Sequence, residues 1–282
     1  MHFPLSVALA RLVEEDNIPT IARHHDFWWE RERFRNSTMF SFFQKWFPPQ
    51  LKSISHCVLN SLSQKELQKR TGIKAEVISD TFNFNQKKNE PDRFSCNWRS
   101  DFRIKPDDIV FLQPTRIVPR KRIEIAIKLV KKLADPRIIL VVAGHSGDEG
   151  GEYEKKIRRL SQEENIRCRF ISRFVNSRRR QLERRIYTLW DCFVNSDFVT
   201  YPTEREGFGN QLIESVYFKK PLILTPYPVY RSDIKPLNFN MLEITPDLKQ
   251  KDVNKVRSML DNKEKIRIIT NKNFSSNRSY RS

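Results

Sequence analysis

Two carboxylates around a glycine-rich turn are the residues of this chain best placed to do chemistry: Glu206-Gly207-Phe208-Gly209-Asn210-Gln211-Leu212-Ile213-Glu214. The glycines leave backbone N–H groups uncovered at the start of a helix expected over 210–218, where a phosphate or an electron-rich hydroxyl finds donors and a favourable dipole. Glu206, just ahead of the turn, can accept from the hydroxyls of a sugar. Glu214, about one helical turn past Asn210, can accept from both hydroxyls of a ribose. The plainer alternative is a solvated capping acid followed by ordinary helix surface. It is weakened by Leu212, Ile213 and Val216, among which an unpaired acid is costly. The arrangement suits a ligand with hydroxyls at one end and phosphates in the middle, as in a nucleotide-activated sugar.

Cations that would complement such a ligand follow an apolar run at 109–113, in Pro114-Thr115-Arg116-Ile117-Val118-Pro119-Arg120-Lys121. A loop of this kind aims Arg116 and Lys121 at a diphosphate, and neutralising a leaving diphosphate is what sugar transfer requires. Arg120 and Arg122 dilute the choice, because basic residues this dense also make a solvated face. Gly144, closing the apolar run 137–143, allows close backbone approach by a ligand, and Ser146 to Gly151 reads as a flexible acidic loop. In the first half the best candidates are His24 and His25, where a histidine beside Asp26 could hold an oriented proton or donate toward a transferring sugar. A core or capping histidine is the alternative for either. Trp28 and Trp29 either line an acceptor groove or pack against it.

These residues need a scaffold that delivers loops to one edge. Helical periodicity over 5–14 is followed by a short strand at 17–22, an aromatic and charged segment at 27–34 read as a helix, and a strand at 55–60. Ser61 to Gly72 reads as a helix with Ser63 ahead of Glu66 as a capping box and Gly72 as the stop, and a short strand follows at 75–78. Residues 83–100 are polar without apolar periodicity and read as the connection between two domains, 1–98 and 99–282. Beyond it strands at 108–113, 137–144, 168–171, 198–201 and 221–225 alternate with helices at 123–134, 153–165, 180–190 and 210–218. Arg178-Arg179-Arg180 reads as an exposed helix start. Strands and helices alternating at this spacing predict parallel sheets covered on both faces, with functional loops at the carboxyl ends of the strands. The polar end, 271–282, is expected to fray.

Composition bounds the partners. Across 282 residues, 52 Lys and Arg against 34 Asp and Glu give a formal net charge of +18, a field that attracts nucleotide sugars, acidic lipid headgroups or nucleic acid alike. The mean hydropathy of -0.63 is low, yet apolar runs stand where a core needs them, which argues against general disorder. Cys57, Cys96, Cys168 and Cys192 are widely spaced without a C-x-x-C pair, so neither a metal site nor a disulfide framework is expected. No leader is visible and no apolar run approaches the roughly 20 residues of a membrane span. A cytoplasmic location follows as the expectation, with peripheral contact at the acidic inner membrane face admitted by the charge.

On these residues the chain resembles the retaining glycosyltransferases of GT-B type often called family 4, or glycosyl transferases group 1. The E-x7-E element at Glu206 and Glu214 follows a strand ending in Tyr201-Pro202-Thr203, as in that family, and further matches run over 116–121 and 191–202. His25-Asp26-Phe27-Trp28-Trp29-Glu30-Arg31 resembles the HDF-x-WER segment of one bacterial and archaeal branch. The resemblance implies two Rossmann-like domains and a metal-independent, retaining transfer of a sugar from a nucleotide-sugar donor to an acceptor hydroxyl. No cofactor is implied beyond that donor substrate. Arg116 and Lys121 would hold the diphosphate. Glu206, with the backbone of Gly207, Phe208 and Gly209 and with Asn210 at the helix start, would hold the sugar. Glu214 would bind the ribose, Gly144 would line the donor site, and His25 would contact the donor sugar near its reacting carbon. The acceptor would be a carbohydrate, a lipid-linked compound or a small molecule.

Measured against that family, Met1 corresponds to a point well inside the first domain and the final helix is shortened beyond about Asn273, so an incomplete first domain is expected. Two other readings stay open on the sequence. One is a donor-binding remnant without turnover. The other is a basic α/β protein that binds nucleic acid or membrane phosphates broadly and with strong salt dependence, although no specific nucleic-acid fold is visible.

Overall fold

A computed structural model describes residues 3–31, 34, 38–85, 90–147, 151–181 and 183–276. Contacts divide the chain into two compact units, Met1–Asp80 and Thr81–Ser282. The polar segment 83–100, read as the connection between two domains, falls within the second of these units.

The first unit begins with helix α1 (Phe3–Glu15) and strand β1 (Thr20–His24), then helix α2 (Phe40–Trp46), strand β2 (Ile54–Val58), helix α3 (Ser61–Thr71) and strand β3 (Ala75–Val77). The three strands pair in parallel in the order β1-β2-β3. Phe27, Trp28, Trp29, Phe43, Val58 and Leu67 form the core. Both indoles are buried in it, so these tryptophans pack rather than line a groove. Within the segment 27–34 expected as a helix, Trp28–Glu30 forms a 3₁₀ turn in which Glu30 accepts from Phe27 N at 2.7 Å; Glu32 and Arg33 lie outside the described residues. The cap of α3 is Asn60, not Ser63: its side chain accepts from Ser63 N at 2.7 Å, and Gly72 closes the helix at φ 76° as read. Asparagine is among the best N-caps because its carbonyl meets one of the helix's orphan donors.

In the second unit, Trp98–Asp101 forms a short helix α4, and the strands and helices then alternate. They run β4 (Ile109–Gln113), α5 (Ile123–Leu133), β5 (Ile138–Val142), α6 (Gly151–Glu163) and β6 (Cys168–Phe170). A hairpin, β7 (Arg180–Gln181) with β8 (Arg185–Ile186), leads to α7 (Leu189–Val194), β9 (Phe198–Tyr201), α8 (Asn210–Tyr217), β10 (Leu222–Leu224) and β11 (Leu242–Glu243). Helices α9 (Gln250–Leu260) and α10 (Lys263–Ser275) complete the order. The six strands of the main sheet are all parallel in the order β11-β10-β9-β4-β5-β6. Side chains alternate across it. Val110, Leu112, Ile139 and Val141 enter one core and Phe111, Ile138, Leu140 and Val142 the other, so both faces are covered and the strands read as unbroken apolar runs.

Two corrections concern the segments around this sheet. The helix expected over 180–190 is the antiparallel hairpin β7–β8 followed by α7. Thr188 starts that helix with a capping box, its hydroxyl taking Asp191 N and Asp191 taking Thr188 N at 2.7 Å. Arg179 is correspondingly no loose helix start, since it pairs with Asp191 and, at 2.6 Å, with Asp92. The polar segment before β4 is anchored by scattered aromatics. Trp98 is fully buried and meets Phe102 edge-on at 5.3 Å, with Phe84 in the same core. Arg99 adds bonds to Asp197 (2.8 Å) and to the Asp108 carbonyl (2.9 Å). Of the acidic loop at 146–151, residues 148–150 lie outside the described residues; of the polar end at 271–282, expected to fray, residues 271–275 continue α10 with Asn273 buried and bonded to the Asn240 backbone, and 277–282 lie outside the described residues. Among the described residues no helix is long and apolar enough to cross a membrane.

Because Trp98 has no helical or strand periodicity around it, its burial is a specific claim of this fold. Trp98→Ala is expected to destabilise the second unit by about 3–5 kcal/mol, read as a lowered midpoint in urea; a loss under about 1 kcal/mol would show that the segment is a surface connection.

Candidate functional site

The strand order locates the site. From β4 the chain moves outward through β5 and β6, and then returns to the other side of β4 with β9, β10 and β11. The reversal falls between β4 and β9, and the crevice outside the carboxyl ends at such a switch point is where open α/β sheets bind ligands. The loop after β4 carries Arg116, Arg120 and Lys121. The loop after β9 carries Thr203 and Glu206 and runs through the glycine turn into α8.

These two loops are fastened to each other. A 3₁₀ turn over Pro119–Lys121 projects the cations. The Arg120 carbonyl accepts from Glu204 N at 2.9 Å, and the Arg120 guanidinium donates to the Arg205 carbonyl at 2.8 Å and to Glu206 Oε2 at 3.0 Å. Lys121, almost fully buried, donates its ammonium to Glu206 Oε1, which also accepts from Thr203 Oγ1 at 2.7 Å. Burial alone would raise the Glu206 carboxyl, but Lys121 and Arg120 outweigh it and hold it below the usual glutamate range. The same burial pulls Lys121 below an ordinary lysine, against the opposing pull of Glu206. Arg116 is exposed at the strand exit and, among the described residues, has no carboxylate partner.

Beneath the loops lies a layer that the sequence did not announce. Gln113, fully buried, donates to Thr115 Oγ1 at 2.8 Å and accepts from Thr200 Oγ1 at 2.7 Å, tying the ends of β4 and β9 together. The Tyr201 ring lies under Lys121, 5.4 Å from its ammonium. Tyr227 donates its hydroxyl to the Phe208 carbonyl at 2.7 Å. That bond fixes the glycine turn, where Gly209 stands at φ 118° and a Cβ would meet the Tyr227 hydroxyl at 2.3 Å. A polar residue ending the apolar run at 109–113 was the only sequence signal for this layer.

Other expected site residues fall as follows. Gly144 is required, but the close approach is made by protein: a Cβ there would lie 1.8 Å from the Thr115 carbonyl oxygen. The glycine thus seats the Arg116 loop against the end of β5. Gly207 and Asn210 are exposed at the turn, while Phe208 is buried in the core beside it. Glu214 is one turn into α8, and among the described residues its buried Oε2 has no hydrogen-bond partner. Burial pushes its carboxyl up to about 7, only partly opposed by Trp190.

His25 belongs to the first unit and is exposed just past the end of β1. Asp26 does not orient it, because Arg31 holds Asp26 at 2.5 Å. His24 is inside β1, not in the loop, with its Nε2 2.9 Å from His56 Nδ1 and the two rings stacked. Burial, with His56 adding to it, lowers His24 to about 4. This histidine is therefore a neutral, half-buried group of β1.

Three comparisons bear on this geometry. The model of the family glycosyl transferases group 1 matches residues 95–276. Over 266 residues the chain is 35% identical to the mannosylglucosylglycerate synthase of Petrotoga mobilis, covering 86% of this chain and 61% of that protein. Its likeness to the Thermotoga maritima enzyme of the same name is 34% over 262 residues, covering 86% and 58%. The chain thus spans about three fifths of the length of these curated relatives. Among solved structures, Anabaena HepE in complex with UDP and glucose matches with a TM-score of 0.74 at 14% identity, covering 98% of this chain and 71% of that one. WaaG, a glycosyltransferase involved in lipopolysaccharide biosynthesis, matches at 0.66 and 16%, covering 93% and 71%. At these identities the structural matches establish a shared GT-B fold.

The buried Glu214 has a measurable signature. With its value near 7 in the fold against an ordinary 4.5, its protonated form favours folding, a contribution present below about pH 4.5 and lost as pH rises through about 7. Glu214→Gln, which cannot ionise, should gain about 2 kcal/mol more over wild type at pH 8 than at pH 5, measured by chemical unfolding at both pH values. An equal difference at the two would mean that Glu214 is solvated or paired.

Proposed function

The chain belongs to the glycosyl transferases group 1 family, and from that premise we propose that it moves a sugar from a nucleoside diphosphate donor to an acceptor hydroxyl, with retention of configuration and without a metal ion. The observation that carries this reading is the cluster at the switch point, where Arg120 and Lys121 hold a carboxylate at the mouth of a glycine turn and Arg116 stands exposed at the same strand exit. Such a cluster offers positive charge to a diphosphate and an acceptor to a sugar hydroxyl within one loop pair. Glu206 with the Gly207–Gly209 backbone and Asn210 takes the sugar, Arg116 and Lys121 take the diphosphate, and Glu214 takes the ribose hydroxyls. Donation from those hydroxyls would supply the partner that the buried Oε2 lacks, and would favour the ionised form.

In the proposed transfer the bond between the anomeric carbon and the diphosphate oxygen breaks, and the acceptor oxygen bonds to that carbon on the same face. The acceptor's proton passes to the departing diphosphate oxygen, so no protein nucleophile is needed. Lys121 and Arg116 offset the charge that develops on the diphosphate, an effect on the order of 10²–10³ in rate for a single well-placed donor. His25 is assigned to the transfer step and not to donor affinity. UDP and glucose are the ligands of the HepE structure, and the name of the relatives describes a mannosylated sugar acid. UDP- and GDP-linked hexoses are accordingly the first donors to test, and a small hydroxylated carboxylate the first acceptor. Peripheral contact with an acidic membrane surface is the part of this reading that rests on net charge alone.

Calorimetric titration with UDP-, GDP- and ADP-linked glucose and mannose is expected to show one nucleotide preferred by at least about tenfold. Its affinity should rise with pH through about 7 as Glu214 ionises, should be unchanged by EDTA, and should fall more than about tenfold in Lys121→Met. Equal, strongly salt-dependent binding of all three would instead favour a general polyanion binder.

A further inference from the structure

A cavity of about 440 Å³ opens one strand beyond the glycine turn, at the carboxyl ends of β10 and β11. Its walls are the Thr225–Pro226 exit of β10, Arg231, the exit of β11 and the first turn of α9. The acids that face it are already engaged. Glu243 accepts from the Tyr230 hydroxyl and the Lys235 ammonium, both at 2.8 Å. Asp252 is buried and accepts from the backbone N–H groups of Thr245 and Lys249, both at 3.1 Å. The cations are not so engaged. Arg231, Lys251 and Lys255 are exposed on the cavity, and among the described residues none is paired with a carboxylate. Lys255 donates to the Glu243 carbonyl at 3.3 Å and, against burial and behind Lys235 and Tyr230, helps hold the Glu243 carboxyl below its ordinary value.

Scattered surface lysines would carry no meaning. Here a guanidinium and two ammoniums converge on one concavity against two acids, Glu243, which Lys235 pairs, and Asp252, which is turned into backbone N–H donors, so positive charge is in excess in a space of small-molecule size. The cavity is also built into the frame of the switch-point loops. Its wall residue Thr225, nearly fully buried, donates its hydroxyl to the Thr203 carbonyl at 2.9 Å, and the Thr203 hydroxyl donates to Glu206.

We infer that this cavity is an anion site distinct from the proposed diphosphate position, taking the carboxylate or phosphate of a small polar molecule. Arg231 supplies a planar fork that matches two oxygens of such a group, and Lys251 and Lys255 supply point charges. The volume exceeds what a bare oxyanion fills, so the anionic group would be one end of a larger hydroxylated ligand.

The test titrates the full chain with D-glycerate and, separately, with inorganic phosphate, following binding by calorimetry. Saturable binding of either probe is expected, weakened at least about tenfold when Arg231, Lys251 and Lys255 are all replaced by Ala and weakened less by Arg231→Lys. The tighter probe identifies carboxylate or phosphate as the group recognised. Binding should persist in Lys121→Met, which separates this site from the proposed donor site, so a failure of nucleotide binding leaves the result standing. All three side chains are exposed, so an unchanged thermal midpoint is expected of the triple variant; should it unfold, Arg231→Gln carries the same comparison. Absence of saturation by both probes in the millimolar range overturns the proposal. So does binding that survives the triple substitution, or that disappears in Lys121→Met.

Discussion

One carboxylate holds the switch-point loops together. Glu206 receives Lys121, Arg120 and Thr203, so the exits of β4 and β9 cannot separate without exposing a buried ammonium or stranding a buried acid. Removing one member of a buried pair typically costs about 3–5 kcal/mol, because the other is left uncompensated. The same pairing has a consequence for ligands. Three basic side chains crowded at one strand exit would repel one another, and Glu206 offsets that repulsion. A diphosphate would then meet cations that are already positioned, and little further ordering would be needed on binding.

The parts below this contact give it rigidity. The Gln113–Thr200 bond fixes the two strand ends, the Gly144–Thr115 approach seats the Arg116 loop, and Tyr227 pins the glycine turn through the Phe208 carbonyl. Glu214 is the exception. Among the described residues its buried Oε2 lacks a partner, whereas the buried Asp108, Asp191 and Asp252 are each satisfied by arginine or backbone donors. A group that costs stability in the free protein and would be relieved by a hydroxylated ligand fits the general pattern that strained or unsatisfied positions gather at functional sites.

Much of the second unit was legible because its signals are redundant. The runs at 109–113 and 138–142 are apolar on both faces, the helix at 123–133 carries helical periodicity, and the alternation of the two fixes a parallel sheet. Once the strand order is known, Arg116, Lys121 and Glu206 fall on adjacent exits. What was not legible depends on single contacts. Residues 180–186 have the composition of an exposed helix, but Arg179 is drawn to Asp191 and Asp92, and Thr188 is the better cap, so the helix starts later. Segment 83–100 hides Phe84 and Trp98 among polar neighbours. The choice between His24 and His25 turned on where β1 ends, a matter of two residues that decides which ring stacks on His56 and which faces solvent. Asp26 looked available to a histidine only because the Arg31 contact, five residues away, has no periodic signature.

The central claim is that Glu206 sets the position from which Lys121 meets a donor diphosphate. A double-mutant cycle of Lys121→Met and Glu206→Gln, read as the affinity for the preferred nucleotide diphosphate sugar, tests it most directly. The account predicts that the two losses do not add, with a coupling of at least about 1 kcal/mol, as expected for residues in one network. Losses that add to within about 0.5 kcal/mol would mean that the two side chains act on the donor independently, and would contradict the account.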